Sequence, residues 1–321
     1  MSTRLLVVGV DGLSPGFVQQ LIDEGRAPTL AALAQRGALG VLRSTPNYQS
    51  ASAWTSLVTG VNPGRHGILH FTNPVRGSYE PEQIDARARR APTVWRIASE
   101  SGLRLAALNV PVSFPVEPVR GVMVAGWLCP SPSTDGFTHP PELAAWLRAK
   151  FGDYPIHPDV RRHATAGRYD TVAEVARRGI EVKLEAARRI LCREEPELLC
   201  VVVTETDSLQ HWSWHLLDAA HPEHDPLAAE RWRGEFLGVY EALDAAMGRL
   251  LAEAGDGVDV LVVSDHGQAP NSGAQVLLRP WLVHRGYLAT QARSGTRRAL
   301  DGLLRGGFEA LRRHAGNRLK A

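Results

Sequence analysis

The chain predicts an α/β fold built on a mostly parallel sheet, and three observations carry that expectation. Three short apolar, β-branched runs read as buried strands: Leu5-Leu-Val-Val-Gly-Val10, Leu198-Leu-Cys-Val-Val-Val203 and Val258-Asp-Val-Leu-Val-Val263. Long segments with helical spacing of apolar residues separate them, most clearly Val172–Cys192 and residues 227–253. Each run stops at residues able to do chemistry: Asp11-Gly12, Thr204 to Asp207, and Asp265-His266-Gly267. In open α/β sheets, ligands collect at the carboxyl ends of the strands.

The elements follow in order. After the first strand, helices are expected over Pro15–Glu24 and Pro28–Arg36, the second opened by proline and stopped by Gly37. Gly40–Ser44 reads as a strand. A polar loop from Thr45 then enters an apolar helix over Ala53–Thr59, with Ser50 and Ser52 at or just before its start. Asn62-Pro-Gly-Arg-His-Gly67 makes a turn. Thr93–Ser101 reads as a helix, Leu103–Asn109 and Gly121–Gly126 as strands, and Pro111–Pro118 as a loop. Residues 129–170 are rich in Pro, His and Arg with weak periodicity, and read as a small cap inserted over the sheet. Leu277–Gly286 reads as a short strand or helical turn. Residues 296–319 carry Leu300, Leu303, Leu304, Phe308 and Leu311 at amphipathic spacing.

Composition excludes several classes. With 321 residues, 44% apolar and 22% charged, the chain is expected to be a soluble globular protein. Its three cysteines, Cys129, Cys192 and Cys200, have no CxxC spacing, so neither a disulfide framework nor a thiolate zinc site is expected. The run Leu5–Val10 is too short for a signal segment and leads straight into Asp11. No stretch approaches the roughly 20 apolar residues of a membrane span. A cytoplasmic location is the expectation. The net charge of +2 hides a basic tail, residues 291–321, where eight Arg and Lys face only Asp301 and Glu309. That tail reads as the solvated face of a helix. No basic groove interleaved with aromatics is present, which argues against nucleic acid as the main partner. Nothing in the chain specifies an oligomeric state.

The strand ends form a constellation. A carboxylate beside an imidazole at Asp265-His266 suits a divalent transition metal such as zinc or manganese. Asp207 and His211 stand at i, i+4, which on a helical turn places both on one face within reach of one ion. A helix N-terminus offers N–H donors and a positive dipole end that bind phosphate and favour a developing alkoxide, although a single serine there also reads simply as an N-cap. Two metal ions and an activated hydroxyl are the parts of an in-line phosphoryl transfer. Trp212 and Trp214 read as pocket wall or packing.

Five motifs in fixed order resemble the alkaline phosphatase superfamily, in its type I phosphodiesterase/nucleotide pyrophosphatase branch. They are Gly9-Val-Asp11-Gly12; Ser50-Ala-Ser-Ala-Trp-Thr-Ser-Leu-Val-Thr-Gly60 with Asn62-Pro-Gly-Arg-His-Gly-Ile68; Asn109-Val-Pro; Thr206-Asp207-Ser-Leu-Gln-His211; and Ser264-Asp265-His266-Gly267. The resemblance implies an alkaline phosphatase-like three-layer sandwich over residues 1–290, followed by the basic helical tail. It implies two divalent ions, zinc first, with manganese or iron open to the same donors. Asp11, Asp265 and His266 would hold one ion, and Asp207 with His211 part of the other. Ser50 would be the nucleophile, with Ser52 the alternative, and a small phosphorylated molecule the substrate.

Three departures qualify the match. Many phosphodiesterase relatives have threonine where this chain has Ser50. The family's phosphate-holding asparagine falls at Phe71, with Asn73 two residues late as the substitute substrate-binding candidate beside Trp212. A third ligand of the second ion, a downstream histidine in a glycine-rich segment, has no counterpart; only His284 and His314 follow, and His215 is the internal candidate. The leading expectation is a metal-dependent phosphohydrolase acting on phosphodiesters, nucleotides or related esters through a phosphoserine. The alternatives are a phosphomonoesterase or another phosphate or sulfate transferase of the superfamily, and a degenerate member that binds a metal, ligand or partner. The Cys/Ser-x-Pro-x-Arg context of sulfatases is absent after Ser50, and residues 70–200 are short for the large insertion of the mutases.

Overall fold

In the computed structural model of the chain, residues 3–75, 77–78, 80–270 and 277–289 are described. Two compact units result, Met1–Pro270 and Asn271–Ala321. The first runs β1 (Leu5–Val10), α1 (Pro15–Asp23), α2 (Pro28–Arg36), α3 (Ser50–Thr59), α4 (Pro63–His66), β2 (Thr72–Pro74) and β3 (Pro81–Gln83). It continues with α5 (Val94–Glu100), β4 (Leu105–Val110), β5 (Gly121–Ala125), β6 (Thr138–His139), α6 (Leu143–Phe151), α7 (Arg161–Thr165) and α8 (Tyr169–Glu194). It closes with β7 (Leu198–Val203), α9 (Glu205–Leu217), α10 (Pro226–Ala254) and β8 (Asp259–Val263). In the second unit the described helix is α11 (Leu278–His284). The expected tail helix, with His314, lies outside the described residues.

Six strands form the central sheet in the order β6-β5-β4-β7-β1-β8. All neighbours are parallel except β5 and β6. The pleat sends alternate side chains to opposite faces, and the core divides accordingly. Leu6, Val8 and Val10 of β1, with Leu199, Val201 and Val203 of β7, pack under α1, α8 and α10. Val7, Cys200 and Val202 point the other way, against Trp54 and Val58 of α3 and Trp95 of α5. Helices on both faces of one sheet give three layers. Continuously apolar strands are the sequence signature of such two-sided burial.

Local chemistry sets the helix ends. Ser14 caps α1 by accepting from the Phe17 N–H, and Asp225 caps α10 through the N–H groups of Leu227 and Ala228. The cap of α2 comes from elsewhere in the chain: the buried Asp244 carboxylate of α10 accepts from the N–H groups of Thr29 and Leu30, both at 2.9 Å.

Two local expectations differ from the structure. Gly40–Ser44 is not a strand; Val41 and Leu42 are 84% and 69% exposed there, so its apolar pattern has no buried face to serve. The helix expected from Ala53 begins at Ser50. Residues 129–170, read as a cap, supply β6 to the sheet edge and α6 and α7 beside it. Phe137, Leu143, Leu147 and Tyr154 of that stretch are buried in the same core as β1 and β7. Among the described residues, no helix is long and apolar enough to cross a membrane.

Candidate active site

The order β7-β1-β8 puts the three chemistry-bearing strand ends side by side. Leu5 pairs with both Leu198 and Asp259, so Asp11, Thr204 and Ser264 follow their strands at nearly one level. The Asp11 N–H donates to the Val203 carbonyl at 2.9 Å, continuing the ladder one residue past β1. Gly12 then turns the chain with φ of 74°. A Cβ at Gly12 would stand 3.1 Å from the Asp207 Cα, so glycine is needed both for the turn and for the approach of α9.

Three carboxylates crowd this level, those of Asp11, Asp207 and Asp265, exposed by only 0%, 6% and 8%. One oxygen of Asp11, one of Asp207 and a ring nitrogen of His266 all lie within 4.8 Å of one another. His266 Nε2 is 3.3 Å from Asp265 Oδ2 and 3.6 Å from Asp11 Oδ1. Asp265 Oδ1 accepts the Gly12 N–H at 3.2 Å, while its buried Oδ2 has no hydrogen-bond donor among the described residues. Burial, with Asp265 and Asp207 alongside, holds the Asp11 carboxyl well above the usual carboxylate range. Burial also raises Asp265, against the opposing pull of His266 and the Gly12 N–H.

Buried acids clustered in this way are costly unless a cation joins them. The oxygen-rich set with one imidazole, and an acceptor aimed inward without a donor, fits a divalent ion of the zinc or manganese type. Asp207 joins Asp11 and His266 in this group. His211 lies at its margin, 63% exposed, with Nε2 3.4 Å from Asp207 Oδ1. The hydrogen bond to Asp207 raises the His211 pKa.

Ser50 opens α3 and points into the cluster. Its Oγ is 3.0 Å from His266 Nε2 and donates to Asp11 Oδ1 at 3.4 Å. Ser52 is fully buried on α3. Among the described residues, none of the cluster's side chains bonds to it.

Several partners escape sequence reasoning. One turn beyond Ser50, the Trp54 indole N–H donates to Asp11 Oδ2 at 2.8 Å. The Thr206 hydroxyl donates to the Asp11 carbonyl at 2.6 Å, and Gln268 Nε2 to Asp207 Oδ1 at 2.8 Å. Ser264 Oγ accepts from the Leu13 N–H and donates to the His266 carbonyl, fixing the loop after β8. Trp54, Thr206 and Ser264 stand inside the motifs, but nothing in the sequence marks these hydrogen bonds, and Gln268 lies outside the motifs.

The other candidates lie elsewhere. Asn73 is on β2, paired with Glu82 of β3 in a separate two-stranded sheet. Phe71, expected to fall where the family has its asparagine, packs beside Ala51 and tilts against Trp127 at 4.4 Å. Trp212 is half-buried against the main core, and Trp214 meets Phe17 edge-on at 5.6 Å. His215 sits between Tyr169 and His221.

Comparison with known proteins matches the chain to a family model. The model for type I phosphodiesterase / nucleotide pyrophosphatase aligns with residues 5–315, nearly the whole chain. The chain belongs to this family. No curated protein matches it in sequence. Among solved structures, it is similar to phosphonoacetate hydrolase from Sinorhizobium meliloti 1021 in complex with phosphonoformate. That pair shares 20% identity and a TM-score of 0.57, covering 83% of this chain and 56% of that one. The same hydrolase in complex with phosphonoacetate gives 22% identity, a TM-score of 0.56 and the same coverage. At these identities the likeness shows the alkaline phosphatase-like fold, and this chain spans little more than half of the neighbour's length.

Proposed function

We propose that this family member is a metal-dependent phosphohydrolase acting on a small phosphodiester, nucleotide or related phosphate ester. The observation that carries the reading is the Ser50 hydroxyl, which opens a helix and is bonded to His266 and Asp11 inside a cluster of buried acids. A serine in that position lies at the N-terminus of α3, which stabilises an anion brought to it.

Asp11, Asp265 and His266 would hold one divalent ion, and Asp207 with His211 part of a second. Bound ions would neutralise the substrate's phosphate oxygens and lower the pKa of the serine hydroxyl. Ser50 Oγ gives up its proton to solvent and attacks phosphorus in line with the leaving oxygen. The P–O bond to the leaving group breaks, that oxygen takes a proton, and a phosphoserine remains. Water then attacks phosphorus, the Ser50 Oγ–P bond breaks, and phosphate or a phosphomonoester leaves. Trp54 holds the Asp11 carboxylate throughout. Thr206 and Gln268 do the same for the β1 end and for Asp207.

The test is Ser50→Ala against a panel of nitrophenyl phosphate diesters and monoesters with Zn2+ or Mn2+ supplied. Turnover is expected in the wild type and should fall by about 10³-fold or more in the variant, with ion binding retained. Equal rates in the two proteins, or a wild type that turns over nothing while binding its ions, would refute the reading.

A further inference from the structure

Behind Asp207 lies an ion pair sealed from water. Lys183 Nζ is 2.8 Å from Glu205 Oε1, and both side chains are 0% exposed. Lys183 also donates to Thr204 Oγ1 and to the Ile156 carbonyl, each at 3.3 Å. The second glutamate oxygen, Oε2, accepts the Thr204 N–H at 3.0 Å. Space for the glutamate comes from Gly179, one turn before Lys183 on α8. A Cβ there would lie 2.4 Å from Glu205 Oε1 and 2.7 Å from its Cγ. Glycine inside a 26-residue helix works against helix propensity, and the glutamate is what the structure puts in the vacated space.

A buried ion pair is a poor source of stability. Desolvating two charges often cancels their attraction, and apolar side chains of similar volume are often as stable or more so. The α8 residues around Lys183, among them Ala176, Ile180 and Leu184, already belong to an apolar core. The pair does, however, immobilise one turn. Lys183 holds the Thr204 hydroxyl and Glu205 holds the Thr204 N–H. Two residues on, the Thr206 hydroxyl binds the Asp11 carbonyl, and the Asp207 backbone rests against Gly12. The turn from Thr204 to Asp207 is thus tied to α8 on one side and to the end of β1 on the other.

We propose that Lys183 and Glu205, with the space left by Gly179, are positioning residues that set Asp207 against Asp11 and His266. Cation affinity then depends on a pair that never touches the ion. This inference rests on the reading of the acid cluster as a divalent-cation site.

The full chain and two variants separate positioning from simple packing. Lys183→Met/Glu205→Leu replaces the pair by apolar groups of similar volume, and Gly179→Ala crowds Glu205 while favouring the helix. Zn2+ affinity is measured by calorimetric titration, site geometry by the visible spectrum of bound Co2+, and fold by the ion-free melting temperature. The double variant should melt at or above the wild-type temperature yet bind Zn2+ on the order of 10- to 100-fold more weakly, with a changed Co2+ spectrum. Gly179→Ala should move affinity and spectrum the same way. Should the double variant not fold, Gly179→Ala carries the test, and weaker Zn2+ binding with a changed Co2+ spectrum in that variant supports the proposal. Wild-type affinity and an unchanged spectrum in the folded variants overturn it alone. A wild-type chain that binds neither ion overturns the cation site and this inference together.

Discussion

Replacing Trp54 by phenylalanine removes one hydrogen bond from the site and keeps most of the ring. The indole N–H lies 2.8 Å from Asp11 Oδ2, and both residues are 0% exposed. A hydrogen bond to a charged group contributes about 1.5–3 kcal/mol. This bond favours ionised Asp11, so its loss raises a pKa already lifted by burial and by Asp265 and Asp207. At about 1.36 kcal/mol per unit, the further rise is roughly 1–2 units. A cation needs Asp11 ionised, so a raised pKa lets the proton compete at higher pH. The midpoint of the pH profile for Zn2+ affinity should therefore move up by about 1 unit or more. Below it, affinity should fall by up to about tenfold per unit. Calorimetric titrations of both proteins at a series of pH values measure this directly. A Trp54→Phe protein of lower stability with an unmoved pH profile would refute the reasoning, leaving Trp54 as packing alone.

Two other outcomes follow from the same geometry. Gly12→Ala should cost about 1–2 kcal/mol in urea unfolding for the left-handed backbone alone, and should weaken ion binding by displacing Asp207. Wild-type ion affinity in that variant would contradict the close approach of the two. Asp11 and Asp265 both have folded pKa values above the ordinary one. Without a cation, the folded chain retains protons that the unfolded chain releases above about pH 4. The contribution of these two acids to stability is then fully present in acid and is lost as pH rises through their raised pKa values. Excess Zn2+ should offset this, adding about 2.7 kcal/mol at 100 times Kd. Melting temperatures with chelator and with Zn2+ should converge in acid and separate as pH rises. Parallel curves would show that the acids are not the binding groups.

Much of the fold was legible because the strands that matter are uniformly apolar and end abruptly. Asp11, Asp207 and the pair Asp265-His266 could be singled out for that reason, and α8 and α10 declared themselves by period. The family followed from the same motifs. Adjacency was not legible. Nothing in the chain's order says that β1 lies between β7 and β8, and that placement is what gathers Asp11, Asp207 and His266. The Gly40–Ser44 stretch misled because a local apolar pattern carries no information on whether a partner strand exists. Trp54, Thr206 and Gln268 were hidden for a related reason. Their roles are hydrogen bonds across the fold, and a tryptophan in an apolar helix reads as core until its indole N–H is located. Lys183 and Gly179 looked like ordinary members of an amphipathic helix.

The central position of β1 has a consequence for the chain's birth. Thr3, just before this strand, bonds to Pro196, 193 residues later, and Gly12, just after it, to Asp265, 253 residues later. Strand β1 is therefore separated by most of the described chain from both of the strands it pairs with. A nascent chain carries Leu5–Val10 as an unpaired apolar segment until β7 and β8 have been made, and such segments are prone to pair with the wrong chain. Long loop closure of this kind slows folding. Chaperone cover of Leu5–Val10 should thus raise the yield of folded protein.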